Sequence, residues 1–237
     1  MPSVLMLDFE DRVNEVELFF QLLVSAENEE LCIQAGVGPQ QLPIGTPIPG
    51  DWSKMIKGAA YLVLYNLVEA FVRRGFQLLF EAIAVEGLNG AKLSLELRTQ
   101  WIMQANRSVK TFDGSPKVYM GITNQLVNEI VTNETARLSR SKLPFSGNLD
   151  AETIRFVCQQ HGVDSRTDPA ASGGAALTTV MKKRNALAHG DQAFVECGGE
   201  VTAGDLVRMK DETILFLRGI LKNIESFVRD GKYKAIP

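Results

Sequence analysis

Between residues 53 and 85, hydrophobic side chains fall on most sides of any helix drawn through the chain, most densely in "GAAYLVLYNLVEAF" at 58–71. A helix at a protein surface carries one apolar stripe and one polar face. A helix apolar nearly all round must be surrounded by other elements. The segment therefore predicts a helical bundle with this helix at its centre. A membrane span is the other environment that suits such a segment. The greasiest run falls short of the ~18 residues a span needs and is interrupted by Asn66 and Glu69, so the core reading is preferred and no membrane association is expected.

The rest of the chain supplies packing partners. Val13, Val16, Phe20 and Leu23 recur at helical spacing over 8–27, with acidic residues in what would be the first turn. Weaker helical patterns cover 91–107 and 119–138, separated by the turn-like "FDGSP". "SGNLDAETIRFVCQQHG" reads as a short helix with Asp150 as N-cap and Gly162 just past its end. A helix over 174–189 follows the loop "VDSRTDPAASGG". A last helix begins at Thr202, whose spacing to Asp205 is a capping-box variant. Val207, Ile214, Leu221 and Val228, joined by Leu217 and Ile224, give that helix one broad apolar face. Two stretches are not helical in pattern: the Pro- and Gly-rich 31–52, read as an irregular loop, and "FVECGGEVT" at 194–202, read as a candidate short β-hairpin. The expectation is one all-α domain over 1–237, with an N-terminal helix within 1–30 and a core at about 53–230.

Composition narrows the function. The chain holds 25 Lys and Arg against 28 Asp and Glu, a net charge of −3. General nucleic-acid coating depends on clustered cations, so any contact with RNA or DNA must be local. Cys32, Cys158 and Cys197 are odd in number and far apart, as expected of small buried hydrophobes in a reducing compartment. No basic-then-apolar leader is visible at the N-terminus, and a cytoplasmic protein is expected. HExxH, GxSxG, phosphate-loop and dinucleotide fingerprints are all missing, and two histidines are too few for a metal cluster. No cofactor or metal is expected.

One stretch concentrates the remaining chemistry. "MKKRNALAHG" at 181–190 places Arg184, Asn185 and His189 on one helix. At about 100° per residue, Asn185 and His189 lie about 40° apart on one face. Arg184 has Val180, Met181, Leu187 and Ala188 three and four positions away, so it sits on the stripe facing the core while Lys182 and Lys183 can face water. A guanidinium cannot shed its proton, and a half-buried one needs an anion or an array of acceptors. The best internal acid is Glu69, part of the polar stripe Asn66–Glu69–Arg73 along the apolar helix; the stripe reads equally well as a solvent-facing edge. His189 has a plain structural reading too, since His-Gly is a common helix stop. The chain carries its own control in "CQQHG", where His161 ends another helix with no Asn four residues earlier.

"KRNALAHG" resembles the Arg-polar-x-x-x-His signature of the HEPN superfamily. "KGAAYLVLYNLVEAF", "FSGNLDAETIRFVCQQHGVD" and "FVECGGEVTAGDLVRMKDETILFL" resemble, in order, a MAE-like HEPN branch found around restriction, abortive-infection and toxin–antitoxin loci. The likeness spans about 53–230 and is weakest over 90–140. It implies a helical bundle, a homodimer whose motif helices meet at a shared cleft, and a metal-independent endoribonuclease, with Arg184, Asn185 and His189 matching the motif position by position. It also implies an antitoxin or another defence component as partner. Lys182 and Lys183 are candidate contacts to neighbouring phosphates, and Glu69 is a supporting residue by geometry alone. Two other readings use the same residues: a non-catalytic helical module that recruits a partner through the last helix, and a nucleotide or phosphate sensor that does not cleave.

Overall fold

In the computed structural model the first helix opens at Ser3, whose hydroxyl accepts the amide N–H of Met6 at 3.1 Å. The structure describes residues 3–28, 31–33, 46–107, 116–145 and 147–235. Helix α1 spans Val4–Glu27, starting earlier than its apolar periodicity suggests because Leu5, Met6 and Phe9 are buried as well. The acidic residues read as first-turn therefore lie further along the helix, and none stands in the first turn itself. After α1 a short antiparallel pair forms, β1 (Cys32–Ile33) with β2 (Thr46–Pro47); residues 34–45 of the loop expected over 31–52 lie outside the described residues, and its last three, 50–52, are already helical. Cys32 is exposed, against expectation, while Cys158 and Cys197 are buried.

The long apolar helix is α2, Gly50–Val85. Residues 60, 61, 64, 65, 67, 68, 71, 72, 76, 79, 80 and 83 along it are all buried, a set that covers most of the helix circumference, as the apolar composition requires. By length and hydropathy α2 would also pass for a membrane span, more generously than its sequence reading allowed, but 56% of its most apolar window is buried within the protein.

Six more helices follow among the described residues: α3 (Leu95–Arg107), α4 (Pro116–Val131), α5 (Ala151–Gln160), α6 (Ala175–His189), α7 (Phe194–Gly199) and α8 (Ala203–Arg229). The turn expected before α4 lies at residues outside the described ones, apart from Pro116, which starts the helix. Helix α4 stops at Val131, short of the expected 138. At the start of α8 one half of a capping box forms: the Asp205 amide donates to Thr202 Oγ1 at 3.1 Å, while that hydroxyl, in place of the Thr202 amide, donates to Asp205 Oδ2 at 2.8 Å.

The hairpin expected over 194–202 is a correction: the stretch forms helix α7. Its glycines serve close packing instead of a turn. A β-carbon on Gly198 would collide with the Lys54 carbonyl of α2, and one on Gly58 would stand 2.6 Å from the Phe194 carbonyl oxygen. Glycine at both positions lets two helix backbones touch.

Two compact units divide the chain: one of residues 1–70, 149–151 and 168–216, the other of 71–148, 152–167 and 217–237. They interleave along the sequence, so neither is a contiguous segment. In the first unit, Glu27 at the end of α1 accepts from Lys57 Nζ at 2.8 Å and from the Ala203 amide at 2.6 Å, tying α1, α2 and the start of α8 together. Lys57 is itself buried and also donates to the Val201 carbonyl at 2.9 Å. In the second unit, Gly90 packs against the Trp101 ring with no room for a side chain, and Tyr233 donates to Glu86 at 2.6 Å.

The apolar face of α8 is spent on packing. Ile214, Leu217, Leu221 and Ile224 are buried, and Val207 and Val228 are half-buried. A partner-recruiting module using that face loses its main support.

Candidate functional site

Helix α6 carries the Arg184–His189 motif. Its buried stripe is Ala176, Leu177, Val180 and Leu187, which seats it in the first unit. Its far end is a Schellman turn: the Gly190 amide donates to Leu187 O at 3.3 Å and the Asp191 amide to Ala186 O at 2.9 Å, with Gly190 at φ 77°. Only glycine takes that φ without steric cost. The turn fixes where α6 stops and leaves His189, its last residue, exposed.

Arg184 is half-buried, as its neighbours predict. Its Nη1–H group donates to Asn185 Oδ1 at 2.9 Å, and its guanidinium carbon stands 4.4 Å from the centre of the Tyr65 ring on α2. Tyr65 is fully buried, and its hydroxyl oxygen accepts the Leu149 amide N–H at 3.1 Å. Among the described residues no carboxylate forms an ion pair with Arg184. Glu69, offered as its internal partner, is half-buried on α2 one turn beyond Tyr65. Among the described residues the Arg184 charge is met by an aromatic face and an amide oxygen.

Asn185 connects the motif. About 140° of helix rotation separates Arg184 from His189, so the two do not share a face within one chain. Asn185, about 40° from His189, accepts from Arg184 and contacts Met181 Sδ at 3.4 Å through its amide nitrogen. Arg184 and Asn185 are brought into contact; His189 stands at the helix end, open to solvent.

The two lysines part company. Lys182 is exposed, as expected. Lys183 instead forms an ion pair with Glu200, just after α7, and donates to Gln192 Oε1 at 3.2 Å. Gln192 in turn donates to Glu200 at 2.7 Å. The hydrogen bond with Lys183 holds the Glu200 carboxyl below its ordinary range and raises the Lys183 ammonium above its own. Lys183 is thus held by a carboxylate, while Lys182 stands exposed.

His161, the control, differs in every respect but its helix-end position. It is 1% exposed, its Nδ1 shares a 2.7 Å hydrogen bond with the Val157 carbonyl, and its ring lies 4.8 Å from Phe76 and 5.8 Å from Phe80. Its Nε2 is buried with no hydrogen-bond partner among the described residues. Burial lowers its pKa to about 4, against the opposing effect of the Val157 bond. It is a core residue.

No group of three or more His, Cys, Asp and Glu among the described residues is placed to hold a metal ion. Sequence reasoning missed Tyr65. The signal was present: Tyr61 and Tyr65 are the two aromatics within 58–70, a run made mostly of aliphatic residues.

The chain is an all-α bundle of HEPN type. The family model for MAE_28990-like HEPN domains matches residues 1–233, and the chain belongs to that family. No curated protein and no solved structure matches it.

Proposed function

We propose that the protein is a cytoplasmic endoribonuclease that cleaves RNA through its own 2′-hydroxyl, without a metal, at a site shared between two copies of the chain. The observation that carries the proposal is Arg184: a half-buried guanidinium with no carboxylate partner among the described residues, oriented by Asn185, on the helix that ends in an exposed His189. A buried cation without a counter-ion favours an anionic ligand, and a planar guanidinium matches two phosphate oxygens at once. Family membership is compatible with a ribonuclease or defence-type role.

Imidazole exchanges protons near neutral pH, which suits it to acid–base work. In the proposed reaction a base removes the proton from the 2′-OH as its oxygen attacks phosphorus. Arg184 stabilises the charge on the five-coordinate phosphorane. The P–O5′ bond then breaks and an acid protonates the leaving O5′. The products are a 2′,3′-cyclic phosphate and a 5′-OH end. One chain offers a single exposed imidazole; two chains about a two-fold axis would offer a base, an acid and two guanidinium groups. His189 serves as base or acid, Asn185 orients the guanidinium, and Lys182 meets a flanking phosphate. An unrestrained enzyme of this kind would damage its host, so an antitoxin or another defence component is the partner we propose.

The test is incubation of purified protein with total RNA and tRNA in EDTA, followed by mapping of the cut ends. Cleavage to cyclic-phosphate ends that is lost in both Arg184→Ala and His189→Ala supports the proposal. Cleavage that persists in His189→Ala removes that residue from the mechanism. Nucleotide binding with intact RNA would move the protein to the phosphate-sensor reading.

A further inference from the structure

We infer that Tyr65 is the positioning residue for Arg184: its buried ring sets the angle and height at which the guanidinium meets a phosphate. The inference rests on the ribonuclease reading for its consequence and on three contacts for its geometry. The Tyr65 ring is fully buried, its hydroxyl is fixed by the Leu149 amide at 3.1 Å, and the Arg184 guanidinium carbon lies 4.4 Å from the ring centre. All of these residues belong to the same compact unit.

A cation that must serve a substrate presents a conflict. It has to be held still, yet the usual anchor, a carboxylate, would neutralise its charge and occupy its donors. An aromatic face avoids the conflict. The ring quadrupole attracts the cation and the planar surfaces stack, while every N–H group stays available. In this site one donor is used, on Asn185 Oδ1. The remaining in-plane N–H groups of the guanidinium are the ones a phosphate would meet. Asn185 fixes rotation in the guanidinium plane, and the ring fixes the plane itself.

Tyr65 also does what a generic core residue in its place would not. Leucine would fill similar space but offer no plane to stack on, and its position is already satisfied by neighbours Leu64, Leu67 and Val68, all buried. The hydroxyl bond to Leu149 anchors the tip of the side chain, and full burial holds the ring plane.

The experiment compares Tyr65→Phe, Tyr65→Met, Arg184→Ala and the Tyr65→Met/Arg184→Ala double variant, each checked for a cooperative unfolding transition and then assayed for RNA cleavage. Tyr65→Phe keeps the stacking plane and is expected to cleave within about 3-fold of wild type. Tyr65→Met fills the space without a plane, and its kcat is expected to fall by about 10- to 100-fold, the scale of a misplacement near 1 Å. Because Tyr65 acts through Arg184, the double variant should cleave no more slowly than Arg184→Ala alone, whereas a merely structural role would make the losses additive.

A second measurement needs no variant. In the wild-type protein the Arg184 side-chain protons should be displaced upfield by the ring current of Tyr65. Unshifted protons overturn the inference, as does a folded Tyr65→Met protein that cleaves like wild type while Arg184→Ala does not. If wild-type protein leaves RNA intact, the ribonuclease reading fails and the positioning role falls with it, a result distinct from either of the others.

Discussion

At the end of α5, the Gly162 amide donates to Gln159 O at 3.1 Å and the Val163 amide to Cys158 O at 2.9 Å; at the end of α6, Gly190 and Asp191 make the equivalent bonds to Leu187 and Ala186. Both glycines are left-handed, at φ 74° and 77°, and each follows a histidine. The backbones are the same, but the imidazoles are not equivalent: His161 is 1% exposed against two phenylalanines, and His189 faces solvent. The difference lies in the residue after the glycine. Val163 is buried and pulls its turn inward, as the apolar contact of a Schellman motif does. Asp191 is exposed and leaves its turn outside. A helix stop is thus one device with two uses, and the flanking residue decides which use it serves.

The largest expected effect separates the two sites by activity. His189→Ala should lower RNA cleavage by about 10³-fold, within the usual span for loss of a general acid or base, and leave the unfolding midpoint nearly unchanged because the side chain is exposed. His161→Ala should do the reverse. Cleavage at a temperature where the protein is folded should hold, while stability falls by about 2–4 kcal/mol for the cavity left beside Phe76 and Phe80. Matching loss of activity in both variants would break the contrast.

The next effect concerns protons. Burial lowers the folded-state pKa of His161 from 6.5 to about 4. Between those values the unfolded chain binds a proton that the folded chain refuses, so stability must fall as pH drops from 6.5 toward 4. The total is on the order of 3 kcal/mol for the full shift. His161→Leu removes the titrating group, and the difference between its stability and that of wild type, measured by urea unfolding at pH 7 and pH 5, should shrink or reverse at the lower pH. Parallel pH curves for the two proteins would mean that His161 is not the group responsible.

How much of this was legible beforehand depends on the range of the interaction. The motif could be found because Arg184, Asn185 and His189 share one helix, and a helix's geometry follows from spacing alone. The burial of α2 could be read because an all-round apolar helix needs no phase information. Helix α7 could not, because Gly58 and Gly198 are there for a backbone contact between segments far apart in sequence, and locally a glycine pair looks like a turn. The seat of Arg184 was hidden for the same reason: Tyr65 meets it only through the fold. Charge patterning suggested Glu69 as its partner, whereas the structure supplies an aromatic face. The pairing of Lys183 with Glu200 likewise joins two elements, and nothing in "MKKRN" distinguishes Lys183 from Lys182.

The smallest effect tests whether the two helix stops are as alike as their backbones suggest. A β-carbon on Gly190 would meet nothing within 4 Å among the described residues, and the three atoms nearest one on Gly162 would all belong to the flexible Glu96 side chain, at 3.4 Å and beyond. Neither site is sterically crowded, so alanine at each position should cost only the strain of a left-handed backbone, about 1 kcal/mol. The two losses, read from urea unfolding, should agree within about a few tenths of a kcal/mol, because each is the same left-handed backbone strain. Agreement assigns the whole difference between the ends to the imidazoles and their surroundings. A much larger loss at Gly162 would show that the buried turn depends on its backbone geometry in a way the exposed one does not, and the two stops would no longer be a single device.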